Sequence, residues 1–311
     1  MSVDQPAVPR PGRHPTLNSW LAAARPRSLP IAIGPVVVGA AFAWARTGSL
    51  DIAVAVMVLA ASLLVQLVTN LQNDVGYTVR GGERSGTRIG LPRATANGWL
   101  RVAQVRTAIA VLAVVATMLG FVLFARLGWP VLAIGFASLV AALAYMGGPR
   151  PIAYTPFGEL TVFVFFGLVA VVGTEWALTG GFSAATILAA MGVGAVAAAA
   201  LTVNNHRDRA HDQLVGRRTF SVIMGAPASS MLYAVQLLSP FALLPLAAFA
   251  SGAPTLLLPW VLLPSAVKLR RDFANCAPGL PYNAILYRTF KLGLAYSSLL
   301  AVGAVLGRVL H

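Results

Sequence analysis

The strongest constraint on this chain is a succession of long, nearly uncharged apolar stretches. Several cover about 17 to 22 residues, the length a helix needs at ~1.5 Å rise per residue to cross ~30 Å of hydrocarbon. Strands of a membrane barrel would alternate polar and apolar positions instead. The composition agrees, with 58% of 311 residues apolar and 10% charged, too apolar for a water-soluble domain of this length. The pattern predicts an all-α membrane protein with nine transmembrane helices, at roughly residues 29–45, 52–73, 105–125, 128–146, 157–177, 184–204, 229–250, 253–267 and 289–307. Pro259 and Pro264 interrupt the eighth.

A formal net charge of +14 raises the question of nucleic acid. With the N-terminus inside, twenty of the 23 basic residues fall on segments of one side, and only Arg46, Arg126 and Arg308 on the other. That is the positive-inside pattern, so the charge needs no nucleic-acid partner, and the expected setting is an inner membrane with a cytoplasmic N-terminus. Residues 1–28, with five prolines and four arginines, read as a cytoplasmic tail rather than a signal peptide, and residues 29–311 as the transmembrane domain. The single Cys276 excludes an internal disulfide.

Only nine carboxylates occur, so their positions are informative. Asp74 ends the second span within Thr69-Asn70-Leu71-Gln72-Asn73-Asp74, and Asp208 ends the sixth within Asn204-Asn205-His206-Arg207-Asp208-Arg209-Ala210-His211-Asp212. Asn70 and Asp74 are four apart, as are Asn204 and Asp208, with Asp212 four further on, which places each set on one helix face. The clusters lie four spans apart, the sign of a four-helix internal repeat. Asn and Asp also cap helix ends, but two such clusters beside hydrocarbon point to function.

Carboxylates with amide oxygens suit a hard divalent cation, and Mg²⁺ usually takes one or two protein carboxylates while phosphate and water complete its shell. Two clusters can therefore clamp one diphosphate. Arg88, Arg93, Arg150, Arg217 and Arg218 on the adjoining loops are candidates to neutralise its remaining oxygens, or equally to anchor the interface. His206 and His211 are five apart and face different ways, against a zinc site. A secondary transporter would also show many spans and intramembrane polar residues, but its site would lie near the midplane, whereas both clusters here lie at one face.

Four stretches carry a resemblance to a known family. They are Thr69 to Asp74; Arg88-Ile89-Gly90-Leu91-Pro92-Arg93-Ala94-Thr95 with Gly98; Gly147-Gly148-Pro149-Arg150-Pro151-Ile152-Ala153-Tyr154 running to Gly158-Glu159 and Phe165-Phe166-Gly167; and Asn204 to Asp212 with Gly216-Arg217-Arg218-Thr219. In these the chain resembles the UbiA superfamily of intramembrane prenyltransferases, and within it the 1,4-dihydroxy-2-naphthoate prenyltransferases of menaquinone biosynthesis. The family's first motif continues from Asn-Asp to a further Asp three residues on, where this chain has Tyr77. Glu83 stands where a later Asp of that loop is expected, and Arg217 where the family commonly has Lys.

The resemblance implies nine helices around a central cavity and a Mg²⁺-dependent transfer of a polyprenyl group from a prenyl diphosphate to a small aromatic acceptor, with loss of CO₂. On it, Asp74, Asp208 and Asp212 are catalytic. Asn70, Asp74, Glu83, Asn204, Asp208 and Asp212 hold metal, and Asn70, Asn204 and the five arginines hold diphosphate. Tyr145 and Tyr154 offer aromatic faces to an allylic cation or the acceptor. A protein of this fold that binds prenyl lipid without turnover is the other reading that Tyr77 leaves open.

Overall fold

The computed structural model describes residues 16–82, 90 and 92–310. Glu83 and Arg88 lie outside them. The described residues form helices α1 (Leu17–Ala24), α2 (Pro30–Thr47), α3 (Ile52–Val79), α4 (Val102–Leu127), α5 (Trp129–Met146), α6 (Gly158–Thr179), α7 (Ala184–Arg207), α8 (Arg209–Leu214), α9 (Phe220–Ser251), α10 (Leu263–Ala274) and α11 (Tyr282–Val309).

Eight of these, α2 to α7, α9 and α11, are long and apolar enough to cross a membrane. The eighth expected span, 253–267, is not one continuous helix. Pro254–Leu262 winds as a 3₁₀-helix and α10 follows, carrying Lys268, Arg270 and Arg271. Prolines at 254, 259 and 264 remove the amide donors an unbroken α-helix would need there. The second half of the expected tail is also structured. Thr16 caps α1 by accepting from the Ser19 amide, and Ala23 is buried against α3 and α4 residues such as Val68, Leu71 and Val105.

Two apolar cores organise the bundle. One joins α1, α3, α4 and α5; the larger joins α2, α6, α7, α9, α10 and α11. The alanine run of α7 puts that helix at the centre of the larger core, where small side chains let neighbours approach. At Gly167 of α6 a Cβ would stand 2.7 Å from the Cα of Gly194 of α7, so only glycine permits this crossing. Around it, Phe163–Val172 widens into π-helix.

Candidate active site at the ends of α3 and α7

Most outlying acids have plain structural duties. Asp51 caps α3 through the Val54 amide, Glu175 pairs with Arg46 at 3.2 Å, and Asp272 pairs with Arg288 at 2.6 Å. Four others, Asp74, Glu159, Asp208 and Asp212, collect at the ends of α3, α6 and α7.

Asp74 is fully buried and holds the loop that returns to α4. Its Oδ2 accepts from the Ala94 amide at 2.9 Å, and its Oδ1 from the Thr95 amide at 2.9 Å and the Thr95 hydroxyl at 2.6 Å. Asn70, one turn earlier, donates to the Ala24 carbonyl at 2.7 Å and to Ser28 Oγ at 3.0 Å, while its Oδ1 accepts from Gln66 at 3.1 Å. These bonds fix α1 and the turn after it against α3.

On the α7 side, the Arg207 fork grips Asp208 through Nε at 2.8 Å and Nη2 at 2.7 Å, and Nη1 reaches Asn283 of α11 at 2.6 Å. Asp212 pairs with Arg217, Nη1 to Oδ1, at 2.6 Å, with both side chains almost wholly removed from solvent. The same Nη1 donates to the Tyr77 hydroxyl, and Nε and Nη2 donate to the Ala153 carbonyl at 3.1 and 2.9 Å. The Arg93 guanidinium lies 4.2 Å from the centroid of the Tyr77 ring. Arg217 thus ties the ends of α3 and α8 to the 152–154 turn. Burial raises the pKa of the Asp212 carboxyl, an effect the Arg217 charge opposes; burial likewise raises the Tyr154 hydroxyl.

Between the two cores runs a cavity of about 710 Å³. Its polar end is formed by Arg25, Arg27, Asn70, Asn73, Asn204 and Arg207, and its walls continue through α4, α5 and α6 to Leu123, Trp129 and Trp176 at the other end of these helices. Along that length the lining is mostly aliphatic and aromatic, broken by the hydroxyls of Thr117, Ser138, Thr161 and Thr174, with Gln66, Ser62 and Thr69 near the polar end. α5 packs on α3 and α4 but barely on α6, so the wall is open sideways between α5 and α6.

Among the described residues no three His, Cys, Asp or Glu side chains gather as a metal cluster. The expected carboxylate set is divided: both Asp74 oxygens are bonded to the 94–95 turn, and Asp208 is held by Arg207. A smaller donor set remains. Asp212 Oδ2 is buried and accepts no hydrogen bond, an orphan that a cation or a ligand hydrogen would satisfy. One such carboxylate fits Mg²⁺ when phosphate and water complete the shell.

Residues 32–275 match the UbiA prenyltransferase family. The chain belongs to that family. It is 31% identical over 302 residues to the 1,4-dihydroxy-2-naphthoate octaprenyltransferase of Escherichia coli, covering 94% of this chain and 96% of the relative. The Mycobacterium tuberculosis enzyme of the same name is 34% identical over 69% of this chain and 72% of its own length. Among solved structures, a UbiA homolog from Aeropyrum pernix superposes with a TM-score of 0.66 at 17% identity, over 89% of this chain and 97% of that one. A UbiA homolog from Archaeoglobus fulgidus bound to DMAPP and Mg²⁺ gives 0.59 at 14%, over 90% and 99%. These likenesses agree with the all-helical membrane fold and make this chain a prenyltransferase.

Within this UbiA-family fold, the sequence-selected residues divide into two groups. Asn70, Asn204 and Tyr145 line the cavity. Asp212, Arg217, Arg93 and Tyr154 meet around Tyr77 beside it. Arg150 and Arg218 are exposed, although the Arg218 amide bonds the Tyr154 carbonyl at 3.1 Å. Sequence reasoning missed Arg25, Arg27, Gln66 and Arg207 at the polar end. Gln66 was findable, as the amide one turn before Asn70 in an apolar helix. Arg25 was not, because its place depends on the left-handed backbone (φ 53°) that turns the chain after α1.

Proposed function

We propose that this chain transfers a polyprenyl group from a prenyl diphosphate to a small aromatic acid, most specifically 1,4-dihydroxy-2-naphthoate, with Mg²⁺ as cofactor and release of CO₂. The observation that carries this is the cavity's polarity: arginines and amides at one end, then an apolar tube open sideways between α5 and α6. That profile matches an amphiphile with an anionic head and a long hydrocarbon tail. The tail gains free energy in apolar surroundings, ~25 cal/mol per Å² removed from water, and the sideways opening lets it enter from lipid. The relatives named for dihydroxynaphthoate supply the acceptor.

In the mechanism, Arg25, Arg27 and Arg207 neutralise diphosphate oxygens at the polar end. Asp212, with the Asn204 amide as a neighbouring donor, would hold Mg²⁺, which when bound supplies the positive charge that favours departure of diphosphate. The apolar wall excludes water, whose attack on the allylic cation is the competing reaction. Tyr145, on that wall, stabilises the cation through its ring face by ~0.5–2 kcal/mol. We place the N-terminus and polar end on the cytoplasmic side of a bacterial inner membrane, as the arginine distribution indicates.

The test is purified protein with radiolabelled prenyl diphosphate and a panel of aromatic acids, with and without Mg²⁺, followed by lipid extraction. Mg²⁺-dependent label in a prenylated naphthol is expected. Label retained as intact diphosphate under every condition refutes enzymatic transfer.

A further inference from the structure

Among the described acids at this end of the bundle the mechanism above uses neither Asp74, whose oxygens are taken up by the 94–95 turn, nor Asp208, held by Arg207, nor Glu159, whose Oε2 has no such partner. Its side chain is 4% exposed, and among the described residues it makes no ion pair. Oε1 accepts from Asn205 Nδ2 at 2.8 Å; Oε2 is buried and accepts from nothing. A buried carboxylate oxygen left without a donor is costly, so a group placed this way calls for a donor that arrives with a ligand.

Position indicates which ligand. Val162, three residues after Glu159 on the same face of α6, lines the cavity, and so does Leu201, one turn before Asn205 on α7. Tyr145 is close by: a Cβ built at Gly158, the residue before Glu159, would lie 3.8 Å from its hydroxyl and 3.4 Å from Leu201. Acid, amide and phenol therefore share one corner beside the cavity's polar end. Asp212 and Arg217 are their charged neighbours. A diphosphate presents only acceptors and negative charge, and would be repelled by Glu159. A neutral aromatic hydroxyl presents the missing hydrogen.

We propose that Glu159 Oε2 receives the hydroxyl proton of the aromatic acceptor, with Asn205 holding the carboxylate in place. The proposal rests on the prenyl-transfer reading. As the proton moves to Glu159, the ring carbon that bears the carboxylate forms a bond to the allylic carbon, whose bond to oxygen breaks with the electron pair leaving on diphosphate. Loss of CO₂ then returns the pair of the ring-to-carboxylate bond to the ring. The ring oxygen, a carbonyl at that stage, regains the proton from Glu159. Nothing else is consumed, and the acid is regenerated.

The experiment compares wild type with Glu159→Gln, which keeps the shape and an oxygen for Asn205, and Glu159→Asp, which keeps the charge. Each is assayed with acceptors of graded hydroxyl acidity. For Glu159→Gln, kcat with a weakly acidic acceptor should fall by a factor of about 10²–10⁴, with KM for prenyl diphosphate unchanged. With an acceptor already ionised at the assay pH, the loss should shrink below about tenfold. Glu159→Asp should keep part of the activity and the wild-type acidity dependence. An equal loss with ionised and neutral acceptors in both variants would mean that Glu159 only supports the fold, and overturns the proposal, as does wild-type kcat in Glu159→Gln. If wild type prenylates no acceptor at all, it is the prenyl-transfer reading that fails.

Discussion

Replacing Arg217 with Leu tests the core of the site. Its guanidinium donates to Asp212 Oδ1, to the Tyr77 hydroxyl and to the Ala153 carbonyl, and Asp212 Oδ2 already lacks a donor. With Asp212 fully buried, the substitution strands a carboxylate, and breaking a buried pair from one side costs about 3–5 kcal/mol. Replacing both residues with Leu removes the stranded charge, so the double variant should recover much of that loss. The coupling expected for groups in one network is about 0.5–3 kcal/mol.

The pH dependence gives an independent check. Burial already raises the Asp212 pKa, with Arg217 pulling it down, so removing Arg217 raises it further. For an acid whose folded pKa is raised, the stability contribution is fully present below the unfolded value, ~3.9 for Asp, and is lost as pH rises through the folded pKa. The deficit of Arg217→Leu should therefore be smaller at acid pH than above neutrality. Thermal unfolding of detergent-purified protein, followed by tryptophan fluorescence at both pH values, measures this. A deficit below about 1 kcal/mol, or one that does not change with pH, would refute the reasoning.

The two aspartates that end the sequence clusters should separate in their effects. Asp212→Asn removes the charge partner of buried Arg217, so it should lose stability on the scale of Arg217→Leu and, assayed as folded protein, cut prenyl transfer at least about 100-fold, whereas Asp74→Asn, which weakens three bonds to the 94–95 turn, should lose about 2 kcal/mol or more of stability with transfer retained by the folded fraction; activity and melting curves of both variants decide. Trp176 stands at the apolar end of the cavity, so Trp176→Ala should shift kcat/KM toward longer prenyl diphosphates, and an unchanged preference would remove it from that wall. For orientation, a Cys placed at exposed Gln213 in a Cys276→Ser background should resist an impermeant thiol reagent in intact cells and react once they are opened.

Much of this architecture is written in hydropathy because lipid demands it: apolar stretches that begin after Asp51 and Ser183 become helices capped by those same side chains. Proline marked the expected span, 253–267, that does not run as a single helix. The spacing of Asn70, Asp74, Asn204, Asp208 and Asp212 located the site because carboxylates are scarce here, but spacing reports a shared face, not what each oxygen bonds. Asp74 and Asp208 read alike in sequence, yet one binds backbone amides brought in by a loop twenty residues away and the other an adjacent arginine. Those partners follow from how loops fold back, for which the sequence has no period.

Tyr77 shows how such partners alter the meaning of a substitution. Taken alone, a phenol at a position where an acid is expected removes one metal ligand. In the structure its hydroxyl accepts from Arg217, its ring faces Arg93, and it is only 4% exposed. An aspartate there would be too short to fill the volume that Met146, Ala153 and Tyr154 enclose around the ring. Arg217, in turn, is the longer, forked cation where a lysine is expected, and its fork spans Tyr77, Asp212 and the Ala153 carbonyl at once, which a single ammonium on a flexible stem does not do. The two departures therefore belong together as one packed unit. That unit joins the end of α3 to Asp212, leaving Asp212 Oδ2 the orphaned carboxylate oxygen of the two sequence clusters, and it is this oxygen of theirs that is open to a cation at this end.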